Sequence, residues 1–423
     1  MKRRVVVTGM GGVSPLGTGW EKTGNALLEM RSGVRRMDGW DDIKDLKTRL
    51  GAPVPDFVEP THWDRKKTRT MGRVAFMSVR SAEMALEDAG LLGSPLVSSG
   101  RLGVSFGSTY GSPPAYETFF LHTVVHRNLE GVSALSFIKF MAHTCAANIA
   151  QFFGTKGRII PTTCACTAGA QGIGYAFEAV RDGYQDMMIA GGADEQHYLS
   201  TAVFDLMFAT SCKNDAPQTT PRPFDANRDG LVVGEGAAAL ILEDLDHALA
   251  RGAKILAEVK GWSTNCDGNH IVHPSGEGME AVMRSALADA KVSSDQIDYV
   301  NMHGTATEIG DIEESNATRR CFERAVPASS IKGYMGHTLG ACGAIEAWVC
   351  INAMNEGWIP PNLNLETVDP RCGELDYVRS PRHSSPKLVM SNNFAFGGVN
   401  TSLIFGKWEP GPSHPAKQAG REP

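Results

Sequence analysis

Residues 161–174 read Pro-Thr-Thr-Cys-Ala-Cys-Thr-Ala-Gly-Ala-Gln-Gly-Ile-Gly. The run Arg158-Ile159-Ile160 before this stretch predicts a strand, and the small residues within the stretch predict a helix running toward Arg181. Cys166 is therefore expected at a sharp strand-to-helix turn. Because free backbone N–H groups at a helix start favour a thiolate, we expect a lowered pKa for Cys166, as suits a nucleophile.

Cys166 also has a purely structural interpretation, since free cysteine is among the most buried residue types. Cys164 and Cys166 do not make a metal site by themselves, because structural zinc sites use four ligands at wider spacing. No role is assigned to Cys164. The choice between a nucleophile and a core residue depends on partners elsewhere in the chain.

The composition excludes several classes of protein. The chain has 423 residues, a net charge of −6, 42% hydrophobic residues and 46 glycines, which is typical of an α/β protein and argues against a nucleic-acid partner. No apolar run approaches the length of a membrane span, so we expect no membrane association. Nine cysteines without framework spacing indicate reduced thiols and a cytoplasmic location.

Strands alternating with helices predict mainly parallel sheets covered by helices. The first strand, residues 5–7, is expected to end in a glycine turn at residues 9–12, and the strand at residues 186–190 is expected to end at Gly191 and Gly192. The N-terminal glycine turn has neither the G-x-G-x-x-G nor the G-x-x-x-x-G-K-[ST] motif, which argues against a nucleotide cofactor.

The second half of the sequence repeats the first. Residues 81–89 followed by 103–107 are echoed by residues 284–290 followed by 299–304. When Cys166 is aligned with His337, residues downstream match at equal offsets: Thr167 with Thr338, Gly169 with Gly340, Ala170 with Ala341 and Gly172 with Gly343. This pattern indicates duplication, and two halves related by a pseudo-twofold axis would bring Cys166 and His337 to one site.

Three stretches of the second half place a polar or flexible group after an apolar run. His303 follows a predicted strand, His337 follows a glycine turn with Lys332 shortly before it, and Phe396 precedes a pair of glycines. Open α/β folds place their sites at the carboxyl ends of strands. Together with Cys166, these stretches predict one site with a nucleophile, two imidazoles and flexible backbone donors.

These motifs resemble those of the β-ketoacyl-acyl carrier protein synthases of the elongating KAS I/II type, in the thiolase superfamily. The resemblance runs from Val5 to about Phe405 and is carried by residues 165–167, 223–225 with 228–230, 301–307, 332–343 and 392–400. It implies an α/β fold, a five-layer αβαβα sandwich of two pseudo-repeated halves. We expect an N-terminal half at residues 1–253 with the nucleophile, a C-terminal half at 254–408 with both histidines, and a flexible tail at 409–423.

The resemblance implies the activity of a 3-oxoacyl-[acyl-carrier-protein] synthase, an acyltransferase that performs a decarboxylative Claisen condensation in fatty acid, polyene or polyketide elongation. Cys166 would carry the acyl chain, and its backbone N–H and that of Phe396 would form the oxyanion hole. His303 and His337 would donate hydrogen bonds to the thioester carbonyl of malonyl-ACP. Lys332 would support both histidines.

Further roles follow from the same resemblance. Glu346 would be the counter-charge of Lys332, Asp311 would support the site from behind, and Phe396 would act as a gate hinged at the glycines that follow it. Residues expected to bind substrate are Thr305, Thr307, Phe394, Tyr110 and Phe204, and those expected to dock the acyl carrier protein are Arg65, Lys66, Lys67 and Arg69. No metal and no resident cofactor are implied, because phosphopantetheine belongs to the carrier protein.

The sequence departs from the family pattern at several positions. Phe208 stands where elongating enzymes often carry a basic residue that contacts the carrier protein, so docking depends on the basic cluster at residues 65–69. Val272 replaces a frequent threonine that contacts pantetheine. Tyr110 falls where the acyl pocket usually has a smaller aliphatic side chain, which suggests a shorter, flatter or more polar acyl chain and fits polyketide or polyene synthesis.

Two alternative functions belong to relatives that lack the nucleophile. One is a non-catalytic chain-length-factor subunit of a ketosynthase heterodimer, and the other is a malonyl decarboxylase; Cys166 with both histidines argues against each. The family forms dimers, and residues 133–149 are candidates for the interface. The sequence leaves open whether the partner is an identical chain or a ketosynthase-like subunit, and it does not define the acyl chain, the carrier protein or the pathway.

Overall fold

A computed structural model describes residues 2–55 and 57–409 of the chain. Its strands are β1 (Val5–Ser14), β2 (Gly17–Thr18), β3 (Arg35–Arg36), β4 (Leu50–Gly51), β5 (Leu102–Gly107), β6 (Ile159–Thr162), β7 (Met187–Asp194), β8 (Gly236–Asp244), β9 (Ala257–Cys266), β10 (Tyr299–Asn301), β11 (Pro327–Ser329), β12 (Trp358–Ile359), β13 (Asp376–Tyr377), β14 (Arg382–His383), β15 (Leu388–Ala395) and β16 (Val399–Lys407). Its α-helices are α1 (Trp20–Leu28), α2 (Arg65–Thr68), α3 (Arg73–Asp88), α4 (Pro113–Phe120), α5 (Leu135–Phe140), α6 (Thr144–Phe153), α7 (Ala168–Arg181), α8 (Tyr198–Leu206), α9 (Leu245–Ala250), α10 (Gly276–Ala290), α11 (Glu308–Phe322), α12 (Lys332–Met335) and α13 (Cys342–Glu356).

Within the described ranges, twelve strands form one sheet in the order β13-β11-β10-β15-β16-β9-β1-β8-β7-β5-β6, with β2 paired to β1 beside this path. The two halves of the sheet meet where Val5 pairs with Val259 and Val7 pairs with Ala257. On one side of this join the order is β6-β5-β7-β8-β1, and on the other it is β11-β10-β15-β16-β9. Corresponding strands appear in the same order along the chain, so the predicted duplication of two halves is confirmed.

The strand directions also repeat between the halves. β5 is parallel to β6 and β7, and β10 is parallel to β11 and β15. The pairs β7–β8, β8–β1, β15–β16 and β16–β9 are antiparallel. The expectation of mainly parallel sheets is therefore wrong, because the two strands nearest the join in each half return antiparallel to their neighbours.

Helices cover both faces of each half-sheet. α3 packs on β1 and β8 and α6 packs on β5, whereas α10 packs on β9 and β16 and also contacts α11. Between the half-sheets, α7 and α13 pack on each other, and α13 reaches both β8 and β15. α13 is apolar on nearly all sides, as expected of a helix in the centre of a protein, and its Trp348 is fully buried. This arrangement confirms the predicted five-layer αβαβα sandwich.

The glycines of β1 do not form the turn that we expected. β1 runs unbroken through Gly9 and Gly11, and β7 likewise runs through its two glycines to residue 194. A Cβ added to Gly9 would lie 2.2 Å from the carbonyl oxygen of Ala85, and one added to Gly11 would lie 2.4 Å from that of Ser81. These glycines therefore let α3 approach the strand closely, which is a packing role.

The register of the repeat differs from the predicted one. The short 3₁₀ turns before α7 and α13 each begin with a residue at positive φ, Ala165 at +46° and Leu339 at +50°. This correspondence places Cys166 opposite Gly340 in the repeat, so its alignment with His337 is wrong. Small residues recur so often around both turns that a shifted alignment also matches.

The predicted boundary between residues 253 and 254 falls between α9 and β9 and stays a prediction. Apart from Glu409, the predicted tail at 409–423 lies outside the described residues. Among the helices of the described ranges, none is long and apolar enough to cross a bilayer.

Candidate active site

Cys166, His303 and His337 come together where the two halves meet. Nε2 of His337 lies 3.0 Å from Sγ of Cys166, and the two imidazole rings stand nearly perpendicular with centroids 5.0 Å apart. One ring nitrogen of each histidine and the sulfur all lie within 4.8 Å of one another, and all three residues are buried. The first half supplies the thiol and the second half supplies both imidazoles, as the duplication predicted.

Backbone contacts hold the two histidines. The N–H groups of His303 and Gly304, which follow β10, both donate to the carboxylate of Glu314 at 2.6 Å. The N–H of His337 donates to the carbonyl of Val232 at 2.7 Å. These bonds fix the main chain of each histidine independently of its ring, so the imidazoles start from defined positions.

Cys166 lies in the 3₁₀ turn that leads into α7. The hydroxyl of Thr167 donates to the carbonyl of Cys164 at 2.7 Å and closes this turn. The thiol of Cys342, the first residue of α13, donates to the carbonyl of Cys166 at 3.3 Å. The nucleophile's backbone is thus tied to the helix starts of both halves.

The resting site is electrically neutral around the sulfur. Burial raises the pKa of Cys166 to about 12, and the opposing effect of Lys332 is smaller. The expectation of a lowered pKa is therefore wrong, because desolvation outweighs the helix start. Burial, followed by the charge of Lys332, lowers the pKa of His303 and of His337 well below the ordinary range for histidine. Both imidazoles are neutral at physiological pH.

Lys332 and Glu346 form a fully buried ion pair behind the histidines. Asn393 donates a further hydrogen bond to the Glu346 carboxylate at 2.6 Å. Burial alone would lower the pKa of Lys332, but Glu346, together with Cys342 and Glu314, more than offsets it and holds that pKa above its ordinary value. The structure therefore places Glu346 as the counter-charge of Lys332, where the sequence expected it.

A cavity of about 620 Å³ reaches from the surface to the three reacting groups. The hydroxyls of Thr305 and Thr307 lie 2.9 Å apart on its wall. Phe396 stacks on Phe204 with ring centroids 5.6 Å apart and is 38% exposed. The other predicted substrate-binding residue on this wall is Phe394. Such a channel can admit a long, narrow group with polar atoms along one side.

Tyr110 and Asp311 lie away from the cavity wall. Tyr110 packs against a small cluster that includes Phe204 and Leu339. The Asp311 carboxylate accepts the backbone N–H groups of Phe224 at 2.7 Å and Ala306 at 3.1 Å, and burial raises its pKa to about 6. Asp311 thus shapes the loop that carries the two threonines without touching the reacting groups.

The predicted docking cluster lies on α2 and the residue after it. Arg65, Lys66, Lys67 and Arg69 are exposed, and none of them is among the described residues that line the cavity. At the cavity itself, Phe208 is 77% exposed with the ammonium of Lys47 4.0 Å above its ring. A cation therefore does stand beside the mouth, although it comes from a distant part of the sequence.

Sequence reasoning missed three residues that touch the site: Glu314, Asn393 and Cys342. Glu314 lies three residues after Asp311 on α11, so both side chains are expected on the same face of the helix. This spacing could have indicated that Glu314, like Asp311, contacts the loop before α11. Asn393 lies inside the stretch 392–400 that was already singled out, but its direction depends on the register of β15 with β16. Nothing in the sequence indicates that Cys342 contacts Cys166.

The geometry supports covalent acyl transfer. A thiol with an imidazole nitrogen at hydrogen-bonding distance can become a nucleophile, and a second neutral imidazole can donate to an oxygen on which negative charge develops. The thiol and the two imidazoles lie at the inner end of a channel and away from bulk water. Together with the fold, these features define the class of cysteine-dependent condensing enzymes with a thiolase-like architecture.

Comparison with known proteins specifies the family within this class. Residues 2–248 match the family described as beta-ketoacyl synthase, N-terminal domain, and residues 256–366 match beta-ketoacyl synthase, C-terminal domain. The 3-oxoacyl-[acyl-carrier-protein] synthase 1 of Haemophilus influenzae is 36% identical over 412 residues, covering 96% of this chain and 99% of that protein.

Solved structures agree with this match. A beta-ketoacyl synthase from Burkholderia phymatum STM815 has a TM-score of 0.95 at 51% identity, covering 97% of this chain and 100% of that one. The ishigamide ketosynthase/chain length factor has a TM-score of 0.90 at 32% identity, covering 97% and 100%. The chain belongs to the β-ketoacyl synthase family and is an acyltransferase. The alternative of a non-catalytic subunit is not favoured.

Proposed function

We propose that this enzyme condenses an acyl chain held on Cys166 with a malonyl unit carried by an acyl carrier protein, giving a 3-oxoacyl product. The observation that carries the proposal is the contact of the Cys166 sulfur with one neutral imidazole, with a second imidazole beside it at the end of the cavity. The Haemophilus influenzae relative is a 3-oxoacyl-[acyl-carrier-protein] synthase, and this supports a carrier-bound acyl substrate for the present chain. The reaction then has two half-reactions.

In the first half-reaction, Sγ of Cys166 attacks the thioester carbon of the incoming acyl group. The thiol proton has an acceptor 3.0 Å away in Nε2 of His337, and it ends on the sulfur of the departing carrier arm. The tetrahedral intermediate forms its oxyanion against the backbone N–H groups of Cys166 and Phe396. A neutral imidazole is required here, because an imidazolium could not accept the proton.

In the second half-reaction, the malonyl group loses CO2 and the electrons of the broken bond form an enolate. His303 and His337 stabilise this enolate by donating to the thioester oxygen, each donor contributing on the order of 3 kcal/mol. Once Cys166 is acylated it has no thiol proton to give, so His337 donates from Nε2 in its other neutral tautomer. The enolate carbon then attacks the acyl carbon on Cys166, and the Cys166 thiolate leaves. The thiolate takes up one proton from solvent, which the overall reaction consumes. Thr305 and Thr307 bind the carrier arm along the cavity, and Phe396 moves between the two half-reactions.

Intact-mass measurement tests the nucleophile directly. The purified chain is incubated with acyl carrier proteins bearing short saturated, long saturated or polyunsaturated groups. We expect the wild type to gain the acyl mass and Cys166→Ala to gain none. Cys164→Ala is the matched control and is expected to load like the wild type. If no donor loads the folded wild-type chain, or if Cys166→Ala still loads, the catalytic proposal fails.

The acyl group preferred in that experiment also addresses the pathway. We propose a shorter, flatter or more polar chain than a long saturated acid, because Tyr110 packs behind Phe204, which lines the cavity, and so fills space into which the cavity could otherwise extend. Preferential loading of polyunsaturated or short groups supports polyene or polyketide synthesis. Preferential loading of long saturated groups supports primary fatty acid synthesis and overturns this part of the proposal.

The carrier protein is proposed to dock on Arg65, Lys66, Lys67 and Arg69. Support comes from their exposure together on α2 and the residue after it, where their positive charges face solvent and can attract an acidic surface. Lys66→Glu is expected to raise the KM for the malonyl carrier without lowering kcat. Lys254→Glu, a charge reversal in the loop before β9, is the control. Equal effects of both reversals would reject this docking surface.

We also propose a dimer, either with an identical chain or with a ketosynthase-like subunit. β6 is the last strand of the sheet, and Ile159 on it is 45% exposed, so one edge with apolar side chains is left to pair. Sedimentation of the purified chain distinguishes a homodimer from a monomer that awaits a partner.

We place the enzyme in the cytoplasm because its nine cysteines are free thiols. It needs no resident cofactor or metal, since each step uses groups of the chain and its substrates.

A further inference from the structure

A buried asparagine joins the ion pair to one of the imidazoles. Asn393 lies on β15 and is fully buried. Its side-chain nitrogen is 2.6 Å from an oxygen of Glu346 and 3.4 Å from Nδ1 of His303. One amide group therefore contacts both the partner of Lys332 and a ring proposed to act on substrate.

The orientation of this amide follows from charge. Glu346 is paired with Lys332, so the atom of Asn393 that faces it at 2.6 Å has to be the donor nitrogen; an amide oxygen there would be repelled by the carboxylate. The amide oxygen has no hydrogen-bond partner within residues 2–55 and 57–409. Nothing among those residues therefore favours the reversed orientation.

The amide has a second hydrogen, which faces two acceptors. These are Nδ1 of His303 and Sγ of Cys342, each 3.4 Å from the amide nitrogen. A ring nitrogen is the better acceptor, because thiol sulfur accepts hydrogen bonds weakly. His303 is neutral, so one of its two nitrogens carries a proton. A donor facing Nδ1 makes that nitrogen the acceptor and leaves the proton on Nε2.

We infer that Asn393 is a positioning residue that holds His303 in the tautomer with the proton on Nε2, while the Lys332–Glu346 pair holds the amide in place. His303 lines the cavity, and Nε2 is the ring nitrogen that does not face the amide. This nitrogen is then the hydrogen-bond donor available to a thioester oxygen. The role in decarboxylation rests on the proposed function, whereas the tautomer rests on the contacts alone.

The first test reads the tautomer by NMR of the full chain labelled with [15N]histidine. The His303 signals are identified by their loss in His303→Asn. We expect wild-type His303 to be protonated at Nε2, and Asn393→Leu, which has similar volume and no donor, to shift it toward protonation at Nδ1. Cys342→Ala removes the competing acceptor and is expected to leave the tautomer unchanged.

The second test separates the two half-reactions. Asn393→Leu is expected to slow decarboxylation of the malonyl carrier about 10- to 100-fold, the loss typical when the hydrogen-bond partner that orients a metal-bound histidine is removed. Loading of Cys166 is expected to stay close to the wild-type rate. The matched control is Asn392→Leu, the neighbouring buried amide, which contacts Met283 on the other face of the strand. It is expected to change neither the tautomer nor the ratio of the two rates.

Three results would overturn the inference. These are a wild-type His303 protonated at Nδ1, an unchanged tautomer in Asn393→Leu, and an equal fall of both half-reactions in that variant. If the wild type neither loads nor decarboxylates, the proposed function fails, but the NMR measurement still decides the tautomer.

Discussion

The buried ion pair of Lys332 and Glu346 allows a quantitative prediction. Their side chains are only 1% and 2% exposed, so removing one partner leaves a buried charge without compensation. Such a change costs about 3–5 kcal/mol in the free energy of unfolding. We expect Lys332→Met and Glu346→Leu each to lose this amount. Glu346→Gln is expected at the lower end of the range, because its amide oxygen still accepts a hydrogen bond.

The double variant separates the charge from the packing. Lys332→Met combined with Glu346→Leu places two apolar side chains of similar volume in the same space. Replacing a buried ion pair in this way is often neutral or stabilising. We therefore expect the double variant to be more stable than either single variant, with a coupling energy of about 3 kcal/mol or more, well above the 0.5 kcal/mol seen for independent sites.

The assay is urea unfolding followed by far-UV circular dichroism at pH 7 and one fixed protein concentration, because association shifts the midpoint by mass action. The pKa of Lys332 is raised in the folded state, so its contribution is fully present below its ordinary 10.5 and is lost only as pH rises through the folded value. Glu280 is the control, because it pairs with Arg284 and Arg320 at the surface, and Glu280→Gln is expected to cost below about 1 kcal/mol. Losses below about 1 kcal/mol in both single variants, or a double variant as unstable as their sum, would refute the reasoning.

Three further predictions concern packing, pH and the gate. Gly9→Ala places a methyl 2.2 Å from the carbonyl oxygen of Ala85 and is expected to lower the free energy of unfolding by about 1–3 kcal/mol. Gly406→Ala is the control and should lower it less, because the added methyl meets the flexible side chain of Lys260 at 3.1 Å. Equal losses in urea unfolding would contradict this. Burial raises the pKa of Glu195 to about 7, so the folded state binds this proton more tightly than the unfolded state does. As pH rises from 4.5 to above 7, the wild type should lose about 3 kcal/mol of stability relative to Glu195→Gln. A stability difference that does not change with pH would exclude this. Phe396→Ala is expected to lower condensation at least about tenfold with little change in melting temperature, since the ring is partly exposed; unchanged condensation would count against a gate.

Much of the site could be predicted because its chemistry depends on residue type. A cysteine and two histidines after predicted strands can be located from the sequence, since polar groups at strand ends stand out against apolar runs. The structure brings Cys166, His303 and His337 within 4.8 Å of one another. What the residues do not reveal is their environment. The pKa of Cys166 depends on how completely the assembled halves exclude water, and no local pattern reports that.

The glycines show the same limit for the fold. Gly9 and Gly11 resemble a turn because glycine is the commonest turn residue, and the sequence does not show that a helix lies against the strand. Likewise, Asn393 can be recognised as polar, but only the pairing of β15 with β16 directs it toward Glu346. Residue type can be read locally, whereas side-chain direction and close approach depend on elements distant in the chain.

The contact between α7 and α13 explains why the two halves can share one site. A Cβ added to Gly169 would lie 2.7 Å from the carbonyl oxygen of Gly340, and one added to Gly343 would lie 2.8 Å from the backbone nitrogen of Ala170. Only residues without side chains allow the two helix starts to approach this closely. The turn that carries Cys166 therefore reaches the histidine-bearing loops of the other half. The small residues that gave the shifted alignment of the two halves are also what brings the thiol and the imidazoles within reach of one another.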